Sequence, residues 1–319
     1  MGLAHAMARF SRATPPRGIA DLNGRVVLVT GAAQGIGRAL ALALWNKGAH
    51  LALVDLRKDD LFALERELLE SATGQRVSKH IGDVADRQWM RQLAADVIQC
   101  HGALHVLINN AGVAYEGAFL ETSLDDWDRI VAVNLIGVIH GCHFFLPHLA
   151  RVDRAHIVNI SSLLGIVAMP GQSAYSATKF AVRGFSEALQ EELRTTSVGL
   201  TVVHPGAVAT GIMRRARGDD PELLRRIDEW YERKAMRPER VATRIVRGIE
   251  KGTPRLMIAP DAVFADLLKR AMPVAGNRIF VDAGIRMLGV EDMRATRSRQ
   301  WEEMVVGGAT QDRRGALEP

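Results

Sequence analysis

The sequence predicts an α/β fold in a single domain, a doubly wound parallel sheet flanked by helices on both faces. Three observations carry this. Short β-branched runs alternate with helical stretches along the chain, a glycine-rich turn joins the first strand to the first helix, and the segments richest in Gly, Asn and Ser fall where strands end. With 319 residues, 48% of them hydrophobic, the chain can bury a large core; it is long for a minimal unit and short for two independent domains.

The first strand is RVVLVT, residues 25–30, which passes straight into Gly31, Gly35 and Gly37 before the helical pattern RALALALWNK. Glycines let the backbone turn sharply, and the free amides and positive dipole end of the helix that follows face an anion such as a pyrophosphate. Gln34 and Ile36 fill the Gly-x3-Gly-x-Gly spacing. The second strand, HLALVD, ends in Asp55, whose carboxylate can accept hydrogen bonds from both hydroxyls of an adenosine ribose and would repel a 2'-phosphate. That favours NAD(H) over NADP(H), while Arg38, Arg57 and Lys58 leave NADP(H) open.

VSKHI and HVLINN are the next strands. A helix then follows on the apolar stripe of Trp127, Ile130, Val131, Leu135, Val138 and Ile139. Asn134 sits on that stripe, and a buried amide there needs partners, either the backbone alone or a polar path. AHIVNIS leads into Ser162, and residues 173–196 are predicted helical, so Tyr175 and Lys179 stack one turn apart on the same face. A phenol with a pKa of about 10 is a poor base at neutral pH; lowering it roughly three units takes about 4 kcal/mol, which a neighbouring ammonium can supply. LTVVHP and RLMIAP complete the strands, and a helix over 261–271 follows the last of them.

With these motifs in place the chain resembles the short-chain dehydrogenase/reductase family over roughly residues 22–260. TGAAQGIG is similar to that family's cofactor loop, Asp83 and Val84 to its adenine-contacting pair, and NNAG, with Asn110, to the turn beside the cofactor. PGAVAT, with Pro205, Gly206, Val208 and Thr210, is similar to the motif that contacts the nicotinamide carboxamide. The resemblance implies a Rossmann-like fold, an NAD cofactor with NADP as alternative, and a catalytic set of Ser162, Tyr175, Lys179 and Asn134. Tyr175 would exchange the proton, Ser162 hold the substrate oxygen, Lys179 lower the Tyr175 pKa and bind the nicotinamide ribose, and Asn134 help hold a water in a proton relay. The expected reaction interconverts an alcohol and its ketone or aldehyde. A cofactor-binding regulatory protein and a redox-neutral dehydratase or epimerase are the alternatives.

Substrate choice is expected to lie in 211–237, which the resemblance marks as a mobile lid; Ile212, Met213, Leu223, Leu224, Ile227, Trp230 and Tyr231 could form its apolar face. Leu163, Leu164, Ile166, Val167 and Met169 follow Ser162 without a polar member, so a lipophilic substrate is expected. Arg214, Arg215 and Arg217 could instead meet a carboxylate or phosphate. The chain is expected to divide into a flexible basic leader (1–21), a catalytic domain (22–275) and a partly loose extension (276–319). Within the extension, Ile279, Phe280, Ile285, Met287 and Leu288 could cover the pocket, a partner subunit or a membrane surface. A homo-oligomer, dimer or tetramer, is expected, although this ending differs from that of the family's commonest tetramers.

The net charge of +5 is spread among acidic residues, with no basic stripe interleaved with aromatics, so no nucleic-acid partner is expected. Ten histidines lack any zinc-binding spacing, and no metal is expected. Cys100 and Cys142 lack CxxC spacing and read as reduced structural thiols. No apolar run reaches the ~18 residues of a membrane span, and a cytoplasmic location is expected.

Overall fold

The computed structural model describes residues 18–218 and 220–289. The strands are β1 (Val26–Thr30), β2 (His50–Asp55), β3 (Val77–Ile81), β4 (Val106–Asn109), β5 (Tyr115–Glu116), β6 (Ala155–Ile160), β7 (Val198–Pro205), β8 (Arg217–Gly218) and β9 (Arg255–Ile258). The first helices are α1 (Gly35–Trp45), α2 (Lys58–Glu70), α3 (Arg87–His101) and α4 (Leu124–Val131), the last running through a π-helical turn (Ala132–Ile136) into α5 (Gly137–Leu149). They are followed by α6 (Ser173–Leu193), α7 (Pro221–Lys234), α8 (Pro238–Lys251), α9 (Pro260–Ala271) and α10 (Ala275–Leu288).

Seven strands form one sheet in the order β3-β2-β1-β4-β6-β7-β9, every pairing parallel, and β5 pairs with β8 in a separate ribbon. The central strands β1 and β4 are largely apolar and buried on both faces because both faces are covered, whereas β3 (VSKHI) at the sheet edge is polar and only partly buried. In β1, Val27 and Val29 enter the core shared with Leu40, Leu44 and Ile245, whereas Val26 and Leu28 enter the opposite one with Leu93, Phe145 and Val182. The order reverses beside β1, and Asn110 secures that point. Its side-chain amide donates to the carbonyls of Thr30 (2.9 Å) and Gly31 (3.1 Å), while Thr30 Oγ1 accepts from the amides of Asn110 and Ala111. A cleft at the carboxyl ends of the strands follows from this topology.

Residues 1–17 of the expected leader lie outside the described residues. The rest of it is not loose: Ile19 is buried, and its amide donates to the Ile249 carbonyl at 3.0 Å. At the other end, α10 packs Val281 and Ile285 against Met213, Leu223 and Ile227, so the first part of the extension belongs to the folded body; residues 290–319 lie outside the described set. Cys142 is buried and its thiol is pushed up to about 12 by burial, while Cys100 is exposed instead of packed. The run Leu124–Leu149 is long and apolar enough to cross a membrane by length and composition, but it carries buried Ile130, Asn134 and Phe145 and packs on β4 and α3.

Burial takes His156 and His204 down from about 6.5 to about 4, and each has a ring nitrogen with no hydrogen-bond partner in place to receive an added proton's N–H. As pH falls below the unfolded value the unfolded chain gains protons that the folded chain refuses until near the lowered value, so stability is complete above pH 6.5 and is lost down to about pH 4. His156 alone should contribute on the order of 3 kcal/mol to that loss. Melting temperature followed across this window should fall steeply, and His156→Gln should flatten the fall; an unchanged slope in the variant would exclude His156 as a source.

Candidate active site

Two hydrogen-bonded turns build one wall of the cleft. Strand β6 ends at Ile160, and Ser161 Oγ then donates to the Lys179 carbonyl at 2.8 Å, joining the strand end to α6. Ser162 is extended and starts a short 3₁₀ turn, its Oγ accepting the Leu164 amide at 3.1 Å. Helix α6 presents Tyr175 and Lys179 one turn apart as the spacing required, and Lys179 Nζ lies 5.5 Å from the centre of the Tyr175 ring. Nζ donates to the Ile160 carbonyl at 3.0 Å.

The electrostatics depart from the simple expectation that Lys179 lowers the phenol. Burial brings the Lys179 ammonium down to about 8, and burial raises the Tyr175 phenol, with only the Ser162 hydroxyl pulling it the other way. Desolvation sets the direction for both groups, and the ammonium is turned to a carbonyl.

Asn134 lies in the π-helical turn, buried, with Oδ1 accepting the Val113 amide (2.8 Å) and Nδ2 donating to the Val113 carbonyl (2.9 Å) and Thr178 Oγ1 (3.4 Å). Both Nδ2 hydrogens and one lone pair of Oδ1 are therefore engaged, clamping the backbone after Gly112. A Cβ on Gly112 would lie 3.2 Å from Asn134 Oδ1 and 3.6 Å from Lys179 Nζ, so the clamp sits directly beside the lysine.

The opposite wall is the glycine turn. Gly31 and Gly35 have φ of +64° and +52°, in the left-handed region that favours glycine. A Cβ on Gly37 would stand 2.0 Å from the Gly31 carbonyl oxygen, and one on Gly35 would stand 2.9 Å from Thr210 Cβ. Gln34 precedes α1 without capping it through its side chain, which leaves the first-turn amides free to meet an anion. This cradle fits a dinucleotide pyrophosphate: narrow, lined by backbone N–H groups and closed to any side chain.

Asp55 is buried at the end of β2, with Oδ2 accepting the Ala33 amide (2.9 Å) and Oδ1 the Arg57 amide (3.0 Å). Two of the nearby cations have partners of their own, Arg57 donating to Gln34 Oε1 at 3.1 Å and pairing with Asp60, and Arg38 pairing with Glu67, while Lys58 Nζ lies 5.8 Å over the Phe62 ring. Asp83 accepts the Ala85 amide at 2.9 Å, and buried Val84 packs on Gly137 while its carbonyl accepts from His140.

A cavity of about 910 Å³ joins these parts. Gly31, Gln34, Gly35, Ile36, Asn110, Ser162, Tyr175, Lys179, Pro205, Gly206, Val208 and Thr210 line it, whereas Gly37, Asp55, Asp83, Val84 and Asn134 stand behind or outside its surface. Its far end is apolar, with Leu163, Leu164 and Met169 from the turn after Ser162, Ile212, Met213, Leu223, Ile227 and Trp230 from the expected lid, and Phe280 and Leu288 from α10. Ile166 and Val167, expected there, pack instead on Ala265 behind that turn. Arg214 is paired with Asp228 and Glu232, and Arg217 with Asp126; of the three arginines only Arg215 lines the cavity.

Two carboxylates escaped the sequence reading, Glu116 and Asp261, both on the cavity wall. Glu116 is buried and accepts from Gln172 Nε2, while Asp261 Oδ2 accepts the Ala207 amide at 3.3 Å. Both lie near the phenol of Tyr231, whose pKa is raised by burial first and then by Tyr175, Asp261 and Glu116. Each acid follows a strand-like run as a lone charge among apolar residues, which was the available signal. Among the described residues no group of three or more His, Cys, Asp or Glu side chains is placed to hold a metal ion.

Comparison with known proteins places the fold in one family. A family model described as short chain dehydrogenase matches residues 25–221. A Mycobacterium tuberculosis protein named as an oxidoreductase, SadH, is 41% identical over 271 residues, spanning 84% of this chain and 97% of that protein. A short-chain dehydrogenase/reductase from Burkholderia phymatum, solved in complex with NAD, superposes with a TM-score of 0.72 at 30% identity, covering 79% of this chain and 94% of that one. A metagenomic short-chain oxidoreductase solved with NADP gives a TM-score of 0.62 at 29% identity, covering 75% of this chain and 97% of that one.

Proposed function

The chain belongs to the short-chain dehydrogenase/reductase family, and from that premise we propose that it is an NAD-preferring oxidoreductase interconverting a lipophilic alcohol and its ketone or aldehyde. The observation that carries this is that Ser162, Tyr175 and Lys179 line the same cavity as the glycine cradle, with an apolar chamber beyond them. The bound nicotinamide cofactor supplies the hydride acceptor for oxidation and the donor for reduction.

The chain's own residues handle the proton and the geometry. Tyr175 Oη takes the alcohol proton in oxidation and returns it in reduction, and Ser162 Oγ orients the substrate oxygen toward it. Lys179 serves as the cation behind the phenol once its Nζ turns from the Ile160 carbonyl toward the ribose and the phenol. Asn134 acts as a positioning residue, because its amide is engaged with Val113 and Thr178; a proton path at this point runs past that clamp rather than through its side chain. Asp83 and Val84 shape the adenine end.

NAD preference rests on Asp55, buried at the ribose end with the neighbouring Arg38 and Arg57 tied to local carboxylates. Asp55→Asn loses the negative charge and keeps one of the two oxygens that accept the Ala33 and Arg57 amides, and it should shift the ratio of kcat/KM for NAD over NADP toward NADP by at least about tenfold. An unchanged ratio would remove Asp55 from the preference. Assaying NAD+ reduction across short alcohols, long-chain alcohols and hydroxysteroids tests the proposal as a whole: turnover rising with apolar size supports it, and cofactor binding without turnover on any of them favours the regulatory alternative. A cytoplasmic homo-oligomer remains part of the reading, with light scattering of the full chain as its check.

A further inference from the structure

The exposed apolar side chains are unevenly placed. Val263, Phe264, Leu267, Met272, Val274, Ile279 and Met287 all belong to α9, α10 or the short turn between them, and the two helices pack on each other. Leu267 is 62% and Val274 88% exposed, so these are open positions and not the edge of the core. Phe264 (54%) and Met287 (58%) also line the cavity, as does Phe119 (57%) from the loop after β5. The apolar chamber therefore opens through an apolar rim, and the α9–α10 face continues that rim outward. A contiguous patch of this kind marks an interaction surface.

Its charge selects the occupant. On α10, Arg278 and Arg286 flank Ile279 and Met287 on the exposed side, and neither has a carboxylate partner among the described residues. Of the acids of these helices, Asp261 faces the cavity, Asp266 bridges Arg255 and Arg270, and Asp282 has an interaction of its own. Long arginine stems can lie along apolar surface with their heads at its boundary. A second copy docked here about a twofold axis would set this cationic face against itself and close the mouth of the chamber. An anionic lipid surface meets both the apolar residues and the two arginines that lack an ion pair among the described residues.

We propose that the α9–α10 face docks on anionic lipid surfaces, with Leu267, Val274 and Ile279 inserted at the headgroup boundary and Arg278 and Arg286 on lipid phosphates, so that the cavity mouth opens onto the lipid. The docking stands on the surface alone; its use, admitting a lipophilic substrate from the lipid, rests on the function proposed above.

The test is co-sedimentation of the full chain with phosphatidylcholine vesicles containing phosphatidylglycerol, beside vesicles of phosphatidylcholine alone and with gel filtration in parallel. Wild type should bind the anionic vesicles in preference to the neutral ones. Leu267→Asp with Val274→Asp should weaken that binding more than about tenfold, and Arg278→Glu with Arg286→Glu should abolish the anionic preference. None of these four residues lines the cavity, so turnover of a short soluble alcohol should stay at the wild-type level, which separates failure of docking from failure of the proposed reaction. Wild-type protein left in the supernatant, or variants that bind as wild type does, would overturn the proposal. So would an oligomer that the Leu267 and Val274 changes dissociate, because a second copy would then occupy the face.

Discussion

Replacing Tyr175 by phenylalanine is expected to lower kcat by about 10²- to 10⁴-fold while leaving the cofactor dissociation constant within about twofold of wild type. The substitution removes one oxygen and keeps the ring, so the packing of Tyr175 against its apolar neighbours persists. Only the proton exchange is lost. The pH dependence gives a second, independent reading of the same atom. Burial raises the Tyr175 phenol, so its deprotonated form gains population only toward alkaline pH. Alcohol oxidation needs phenolate, and its kcat/KM should rise with pH on this group; carbonyl reduction needs the protonated phenol, and its kcat/KM should fall over the same interval. Both limbs should vanish in the variant. Lys179, brought down to about 8 by burial, loses its charge on the alkaline side and should blunt the oxidation limb there. Near-normal turnover in Tyr175→Phe, with wild-type limbs retained, would end the role assigned to the phenol.

Gly37→Ala should weaken cofactor binding by more than about a hundredfold and lower the melting temperature as well. The added Cβ would stand 2.0 Å from the Gly31 oxygen and 2.7 Å from Asn110 Nδ2, two groups that cannot retreat. Gly31 is held against the Asn110 side chain, and α1 is seated on the sheet through buried Leu40 and Leu44. Relief requires α1 to slide, which moves the free amides away from the anion they are placed to meet. Gly24→Ala is the control: its φ is +68°, but its Cβ would meet nothing within 4 Å, so a loss of about 1 kcal/mol of stability and unchanged binding are expected. Titration calorimetry on both variants separates a general glycine effect from the close approach at the cradle. Equal affinity in Gly37→Ala and wild type would show that the turn yields, and that the cradle is not built as described.

The parts of the molecule legible in the sequence are those in which one residue's neighbours along the chain decide its position. Strands β1, β2, β4, β6 and β7 were readable because burial on both faces of a parallel sheet favours largely apolar runs. Tyr175 and Lys179 were readable as a pair because helical spacing alone stacks them, and the glycine turn because positive φ and close approach admit one residue type. Glu116 and Asp261 were not readable as cavity groups. They reach one chamber from the ends of different crossovers, and no local pattern encodes that meeting.

Electrostatics divide in the same way. The sequence correctly placed an ammonium one turn from a phenol, but the direction of the phenol's pKa depended on burial and on Lys179 Nζ turning to the Ile160 carbonyl, both set by packing. The apolar stripe marks Asn134 as a buried amide in need of partners; that those partners are Val113 and Thr178 follows from a π-helical turn that no periodicity announced. By itself the sequence determined the fold class, the cradle and the order of the chemical groups, because sterics and hydrogen-bond periodicity act over a few residues. The tertiary structure alone decided which side chains share a cavity, which cations are already paired, and that α9 and α10 turn apolar residues outward around its mouth. These depend on distances between elements far apart in the chain, and on the water that packing removes from between them.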